Sequence, residues 1–175
     1  MHSSSILSTQ RRAAPPSALK PVLLPRVSLS DPAHLVMTDF AREPSITVKE
    51  ERRIDEALED MVRFGVRALL VVHGDTVTGL ITSYDIQGER PLQFLQSSTY
   101  TRHDEIMVGH VMTPWERLPT LDWDSVRLAS VSEVRESFSR TGATHLTVVQ
   151  SGDDGSSVVR GLFSRTRLER QLAAV

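Results

Sequence analysis

The chain contains no cysteine, so disulfide bridges, thiolate catalysis and cysteine-ligated zinc are excluded, which is compatible with a cytoplasmic protein. It has no apolar run approaching the length of a membrane span, so no membrane partner is expected. It lacks a strong charge bias: the net charge of −2 argues against a broad nucleic-acid surface. There is no Walker-type phosphate loop and no nucleophile–base pair, so we expect no enzyme, no catalytic residues and no required cofactor. His103 and His110 have no carboxylate at ligand spacing, and no metal site is expected there. Residues 1–30 lack any acid but carry Arg11, Arg12, Lys20 and Arg26 behind Ser3, Ser4 and Ser5. That bias weakly resembles a transit peptide. The apolar core of a secretory signal is missing, however, and Pro15, Pro16, Pro21 and Pro25 oppose a long helix. A mobile or partly docked tail is expected over residues 1–34.

What the chain does have is a repetition. Val36-Met37-Thr38-Asp39-Phe40 returns as Val111-Met112-Thr113-Pro114-Trp115, and Pro44 returns as Pro119. The segment from Gly65 to Val72 returns from Gly142 to Val149. Gly79-Leu80-Ile81-Thr82 returns as Gly161-Leu162-Phe163-Ser164. The 175 residues allow one domain or two small ones, and 39% hydrophobic with 24% charged residues is a globular composition. Two units of roughly 60 residues are each near the lower limit for an independent core. They should bury apolar faces against each other.

Each unit predicts the order β-α-β-β-α. A short strand comes first, Ile46-Thr47-Val48 or Leu121-Asp122-Trp123. An amphipathic helix follows, with its buried stripe at Ile54, Leu58, Met61 and Val62, or at Leu128, Val131, Val134 and Phe138. Asp122 and Asp124 would flank Trp123 on one face of the strand, on the solvent side, leading into the helix cap. Gly65 and Gly142 sit where helix C-terminal glycines belong. A hairpin follows, turning at Gly74-Asp75 in one unit and over Gly152 to Ser157 in the other. A last helix starts near Ser83 or Arg165. Between the units, Leu92, Phe94 and Leu95 suggest a short helix after Pro91, and Asp104 to Val111 a second. This connector is expected to pack rather than float. Phe40 and Trp115 hold equivalent places and read as packing residues, Trp115 as a cover for the groove between the units.

The doubled unit, the Val-Met-Thr lead-in and the segment Gly79-Leu80-Ile81-Thr82-Ser83-Tyr84-Asp85 resemble a CBS-domain pair, also called a Bateman module. The likeness covers roughly residues 36–175. It implies an α+β fold in which two β-α-β-β-α repeats pack through their sheets about a pseudo-twofold axis. The expected division is repeat one over 35–90, a helical connector over 91–107 and repeat two over 108–175. The resemblance further implies clefts that hold AMP, ADP, ATP or S-adenosylmethionine, a homodimer, and a regulatory effect on an effector protein that the sequence does not name. A ligand-free dimeric scaffold is the alternative.

The segment from Gly79 to Asp85 matches the family's nucleotide motif. Thr82 would lie at the mouth of the last helix, its hydroxyl available to a phosphate. Asp85 is an acceptor-only carboxylate suited to the two hydroxyls of a ribose. The same pair is also a capping box, and a cap can face a ligand. By the family pattern the adenine slot falls at Ile46, Val66 and Ala68. Thr144 and His145 of the other repeat would reach phosphates, and a charged imidazole would make binding pH-sensitive. The second motif keeps Gly161 and Ser164 but has Arg167 in place of the aspartate, and a guanidinium cannot hold a diol. Arg165 and Arg167 there meet an anion or only solvent, with Arg67 facing the same cleft by pseudo-symmetry. One nucleotide per chain, bound at the first motif, is the expectation.

Overall fold

The computed structural model describes residues 25–100 and 102–173; the basic residues Arg11, Arg12 and Lys20 lie outside the described part. Among the described residues, eight strands form two four-stranded sheets. In chain order the elements begin with β1 (Thr38–Asp39), β2 (Thr47–Lys49), α1 (Ile54–Phe64), β3 (Ala68–His73), β4 (Thr76–Thr82) and α2 (Ser83–Gln87). They continue with α3 (Arg90–Ser97), α4 (Val108–Val111), β5 (Thr113–Pro114) and β6 (Thr120–Asp122). The chain closes with α5 (Trp123–Leu128), α6 (Val131–Thr141), β7 (His145–Ser151), β8 (Ser157–Ser164) and α7 (Arg165–Ala173).

The two sheets are built alike. β2 pairs parallel with β3 and β6 parallel with β7, each pair joined by a helical crossover. The hairpins β3–β4 and β7–β8 carry a register shift at the same place, Val71/Val72 and Val148/Val149. Gly65 and Gly142 end α1 and α6 at φ 67° and 68°, the left-handed conformation that glycine adopts without penalty.

The lead-in strands are exchanged. β1, which precedes the first unit, pairs with β8, and β5, which precedes the second, pairs with β4. Gly79 and Gly161 permit this close approach. A Cβ at either position would lie 2.5 Å from a backbone oxygen, that of Thr113 or Thr38. Packing is exchanged too. Ala33, Val36 and Met37 join the core of the second sheet, with Val134, Phe138 and Phe163. Ile106, Val108 and Val111 join the core of the first, with Ile54, Met61 and Ile81. The connector therefore packs, as its length suggested.

Several local expectations are corrected. Val62 is 77% exposed and Leu128 88%, while Ala57 is buried in α1. Leu128 ends α5 and lies outside α6, so it escapes the periodicity of that helix's stripe. Trp123 and Asp124 belong to α5, not to a strand, and Asp122 caps that helix by accepting from the Ser125 amide at 3.0 Å. The second connector helix is broken: a 3-10 turn over His103–Glu105 precedes α4. The Ile106 amide still closes that turn, and the Ile106 carbonyl accepts from Ile54, which stitches the connector to α1.

Candidate ligand clefts between the two sheets

Strand alternation gives each sheet a second face. Leu69, Val71 and Ile81 enter the first core, so Ala68, Leu70, Leu80 and Thr82 point the other way. Leu146, Val148 and Phe163 enter the second core, leaving His145, Thr147, Leu162 and Ser164 on the opposite face. Leu70, Leu80, His145 and Thr147 are nonetheless buried, although they belong to neither core. The sheets cover these faces against each other. Tyr84 and Thr166, equivalent residues of the two motifs, meet at 3.4 Å, which marks the pseudo-twofold axis. Leu80 and His145 line a cleft on each side of it.

The first cleft has a volume of about 470 Å3 and is lined by Thr82, Asp85, Arg90, Glu116, Arg117, Thr144 and His145, among others. Thr82 and Asp85 form a complete capping box at the start of α2. The Asp85 Oδ2 accepts from the Thr82 amide and hydroxyl, each at 2.8 Å, while Thr82 Oγ1 accepts from the Asp85 amide at 3.2 Å. Asp85 Oδ1 lies 2.9 Å from the Arg90 guanidinium. The same Arg90 nitrogen also donates to Val111 O at 2.9 Å and Thr113 Oγ1 at 3.0 Å. The carboxylate is thus locked on one oxygen by its own helix and held on the other by a half-exposed cation.

His145 is 7% exposed, with Nδ1 3.1 Å from Thr144 Oγ1. Burial pushes its pKa down to about 4, so it is neutral at physiological pH. The expectation of a charged imidazole that makes binding pH-sensitive is therefore corrected.

The second cleft, about 390 Å3, takes Ile46, Val66, Arg67, Ala68, Ser164 and Arg167 together with Phe40, Leu70 and Arg170. This divides the expected site. The apolar slot at Ile46, Val66 and Ala68 opens beside Ser164 and Arg167, not beside Thr82 and Asp85. The reason lies in the crossing of the sheets: the N-terminal end of each β3-type strand abuts the motif of the other repeat. Ala143 and His145, the counterparts of Val66 and Ala68, line the first cleft beside Thr82 and Asp85. Arg167 donates to Thr38 Oγ1 at 3.0 Å. Arg165 turns away from the cleft, donating to Phe138 O at 2.7 Å with its guanidinium 5.6 Å from that ring. Phe40 lines its cleft, whereas Trp115 is not among the residues lining either. Arg90, Arg117 and Arg170 escaped the sequence reading. Arg117 and Arg170 lie near repeated motifs, but the reach of Arg90 depends on how α3 docks.

The CBS-domain family model matches residues 36–90. A protein with CBS domains from Burkholderia ambifaria shares 25% identity over 74% of this chain and 83% of its own, at a TM-score of 0.55. The first repeat matches a CBS domain, and the chain as a whole is similar to CBS-pair proteins. CBSX2, a CBS-pair protein of Arabidopsis thaliana, is also similar. Its structure in complex with AMP is 26% identical over 80% of this chain and 94% of its own, at a TM-score of 0.52. A Pyrococcus horikoshii protein at 22% identity, covering 82% of this chain and 92% of its own with a TM-score of 0.56, shares the fold. The comparison with curated protein sequences returns no match. No helix among the described residues is long and apolar enough to cross a membrane.

Proposed function

We propose that this CBS pair is a regulatory module that binds an adenosine-containing ligand in its first cleft and signals that event to a partner protein. AMP, ADP, ATP and S-adenosylmethionine all carry the group such a cleft would read. The observation that carries the proposal is the Asp85 carboxylate, fixed by Thr82 through one oxygen while the other meets Arg90 at 2.9 Å. Two ribose hydroxyls can take the place of the guanidinium on that oxygen. The AMP complex of the similar CBSX2 supports the choice of ligand. The displaced Arg90 can turn to a phosphate. Because Arg90 also holds Val111 and Thr113, its release would loosen α3 from the exchanged strand β5. A ligand that favours the released arrangement shifts its population, which is a signal a partner can read. A cytoplasmic homodimer belongs to the same proposal.

The test is titration calorimetry of AMP with wild-type protein and Asp85→Asn. Binding should weaken at least about tenfold in the variant, about 1.4 kcal/mol. Equal affinity for the two proteins would refute the role of Asp85. A ligand-free scaffold is the second reading, favoured by the fact that both Asp85 oxygens already have partners within the chain. It predicts no thermal stabilisation by any of the four ligands, where a binder at about 100 times its Kd adds about 2.7 kcal/mol.

A further inference from the structure

The two halves of the chain differ outside the clefts as well, in what covers the lead-in strands. In the first unit α3 lies against the lead-in to β5. Arg90 donates to Val111 O at 2.9 Å and to Thr113 Oγ1 at 3.0 Å, and the Phe94 ring stacks on His110 with centroids 4.3 Å apart. The lead-in to β1 is the counterpart 75 positions earlier, so Leu35 stands in the place of His110 and Arg42 in that of Arg117. There the chain supplies only the polar half of the contact. Arg167 donates to Thr38 Oγ1 at 3.0 Å, as Arg90 does to Thr113. Among the described residues no helix follows α7 as α3 follows α2. Leu35 is left 49% exposed, and Leu128 of α5 is 88% exposed. Both line one groove of about 600 Å3, together with Met37 and Trp123. The same groove is basic: Arg42, Arg127, Arg160 and Arg167 line it against Asp39 and Glu43. Asp39 is held by Arg160 at 2.7 Å, and Arg127 pairs with Asp124 at 2.9 Å. Arg42 is 82% exposed and only 3.8 Å from the Asp39 that Arg160 already holds. Arg167 has no carboxylate within 4.0 Å among the described residues.

We propose that this groove is the docking surface for a short amphipathic helix of a partner protein, seated as α3 is seated on the first unit. Its apolar side chains would cover Leu35 and Leu128, and a carboxylate would meet Arg42 and Arg167. Charge decides the sign of the partner. α3 brings a cation, Arg90, to its contact, but Arg167 already fills that role at Thr38. A second cation would face Arg42 and Arg167 as like charges, whereas an acidic residue is complementary to them. The length follows from α3, whose eight residues make about two turns. Recognition by an amphipathic helix laid on an apolar groove is a common mode of docking. The inference does not rest on nucleotide binding, because the groove shares no lining residue with the first cleft.

The probe is a helix-stabilised peptide of residues 89–98 of this chain carrying Arg90→Glu, which keeps Phe94 and Leu95 and adds the acid. Fluorescence polarisation with the full chain should show saturable binding at one site. The same peptide with its native Arg90 should bind at least about tenfold more weakly. Leu128→Asp and Arg42→Glu should each weaken the acidic peptide at least about tenfold. Arg42→Glu should also bind the native peptide more tightly than wild type does, since the charges are then exchanged. Both positions are exposed, so the variants should fold. Asp85→Asn should leave the acidic peptide within about twofold whatever it does to AMP. Sedimentation velocity should give wild type and Leu128→Asp the same oligomeric state. Absence of peptide binding to wild type, equal affinity for the two peptides or unchanged affinity in Leu128→Asp would each overturn the proposal. So would dissociation of a dimer in that variant, which would assign the face to a second copy of this chain.

Discussion

Lowering the pH from 7.5 to 5 should destabilise the folded chain by about 2 kcal/mol through His145 alone. Burial holds this imidazole at a pKa of about 4, against an ordinary value of 6.5. The unfolded chain therefore takes up a proton that the folded chain refuses as pH falls through 6.5. The effect is negligible above about pH 7, reaches about 2 kcal/mol at pH 5, and levels off near 3 kcal/mol below pH 4, where the folded form also titrates. The measurement is urea unfolding of wild type and His145→Gln at pH 7.5, 6 and 5. Glutamine does not titrate, so its own packing cost is common to all three conditions. The remaining histidines, including His34, His73, His103 and His110, are common to both proteins, so whatever they contribute cancels. Relative to the variant, the wild-type midpoint should move about 1 M toward lower urea between pH 7.5 and 5, for slopes of about 1–3 kcal/mol per M. Parallel pH dependence in the two proteins would refute the buried neutral imidazole. So would an NMR titration of His145 near its ordinary pKa.

Thr82→Ala removes the cap of α2 and two contacts with Asp85, and should cost about 1 kcal/mol in chemical unfolding even without ligand. Gly161→Ala places a Cβ against the backbone oxygen of Thr38, which has no side-chain freedom to yield; it should cost about 1–3 kcal/mol and raise hydrogen exchange at Phe40, whose amide bonds Arg160 O. Asp39→Ala breaks a two-pronged pair with Arg160, at 2.7 and 3.1 Å, in which the guanidinium also lies 4.3 Å from the Trp123 ring. The hydrogen bond from Arg160 holds the Asp39 carboxyl below its ordinary pKa, so the loss, about 1–2 kcal/mol at neutral pH, should shrink as pH falls through the carboxylate range.

The fold was largely legible because it is written twice. Left-handed glycines at Gly65 and Gly142, the hairpins and the continuous apolar runs of β3 and β7 all follow from residue types at local spacing. The errors fell where periodicity ends. Val62 looked like part of an apolar stripe, yet no element among the described residues covers it. Leu128 belonged to a different helix from the stripe that claimed it. Of the candidate site, the capping geometry of Thr82 and Asp85 was readable from their spacing, since a capping box is local. Which residues share a cleft was not. Ile46, Val66 and Ala68 are near Thr82 in the sheet, but the packing of one sheet on the other turns them toward Ser164 and Arg167.

By itself the sequence determined the repeated unit and the contrast of Asp85 with Arg167, because both depend on residue types at fixed spacing. Tertiary structure alone decided the exchange of β1 and β5 and the engagement of Asp85 by Arg90. It also decided the neutrality of His145 and the gathering of three arginines in one cleft. Those follow from contacts between residues far apart in the chain, and from a dielectric environment that exists only once the two sheets have closed on each other.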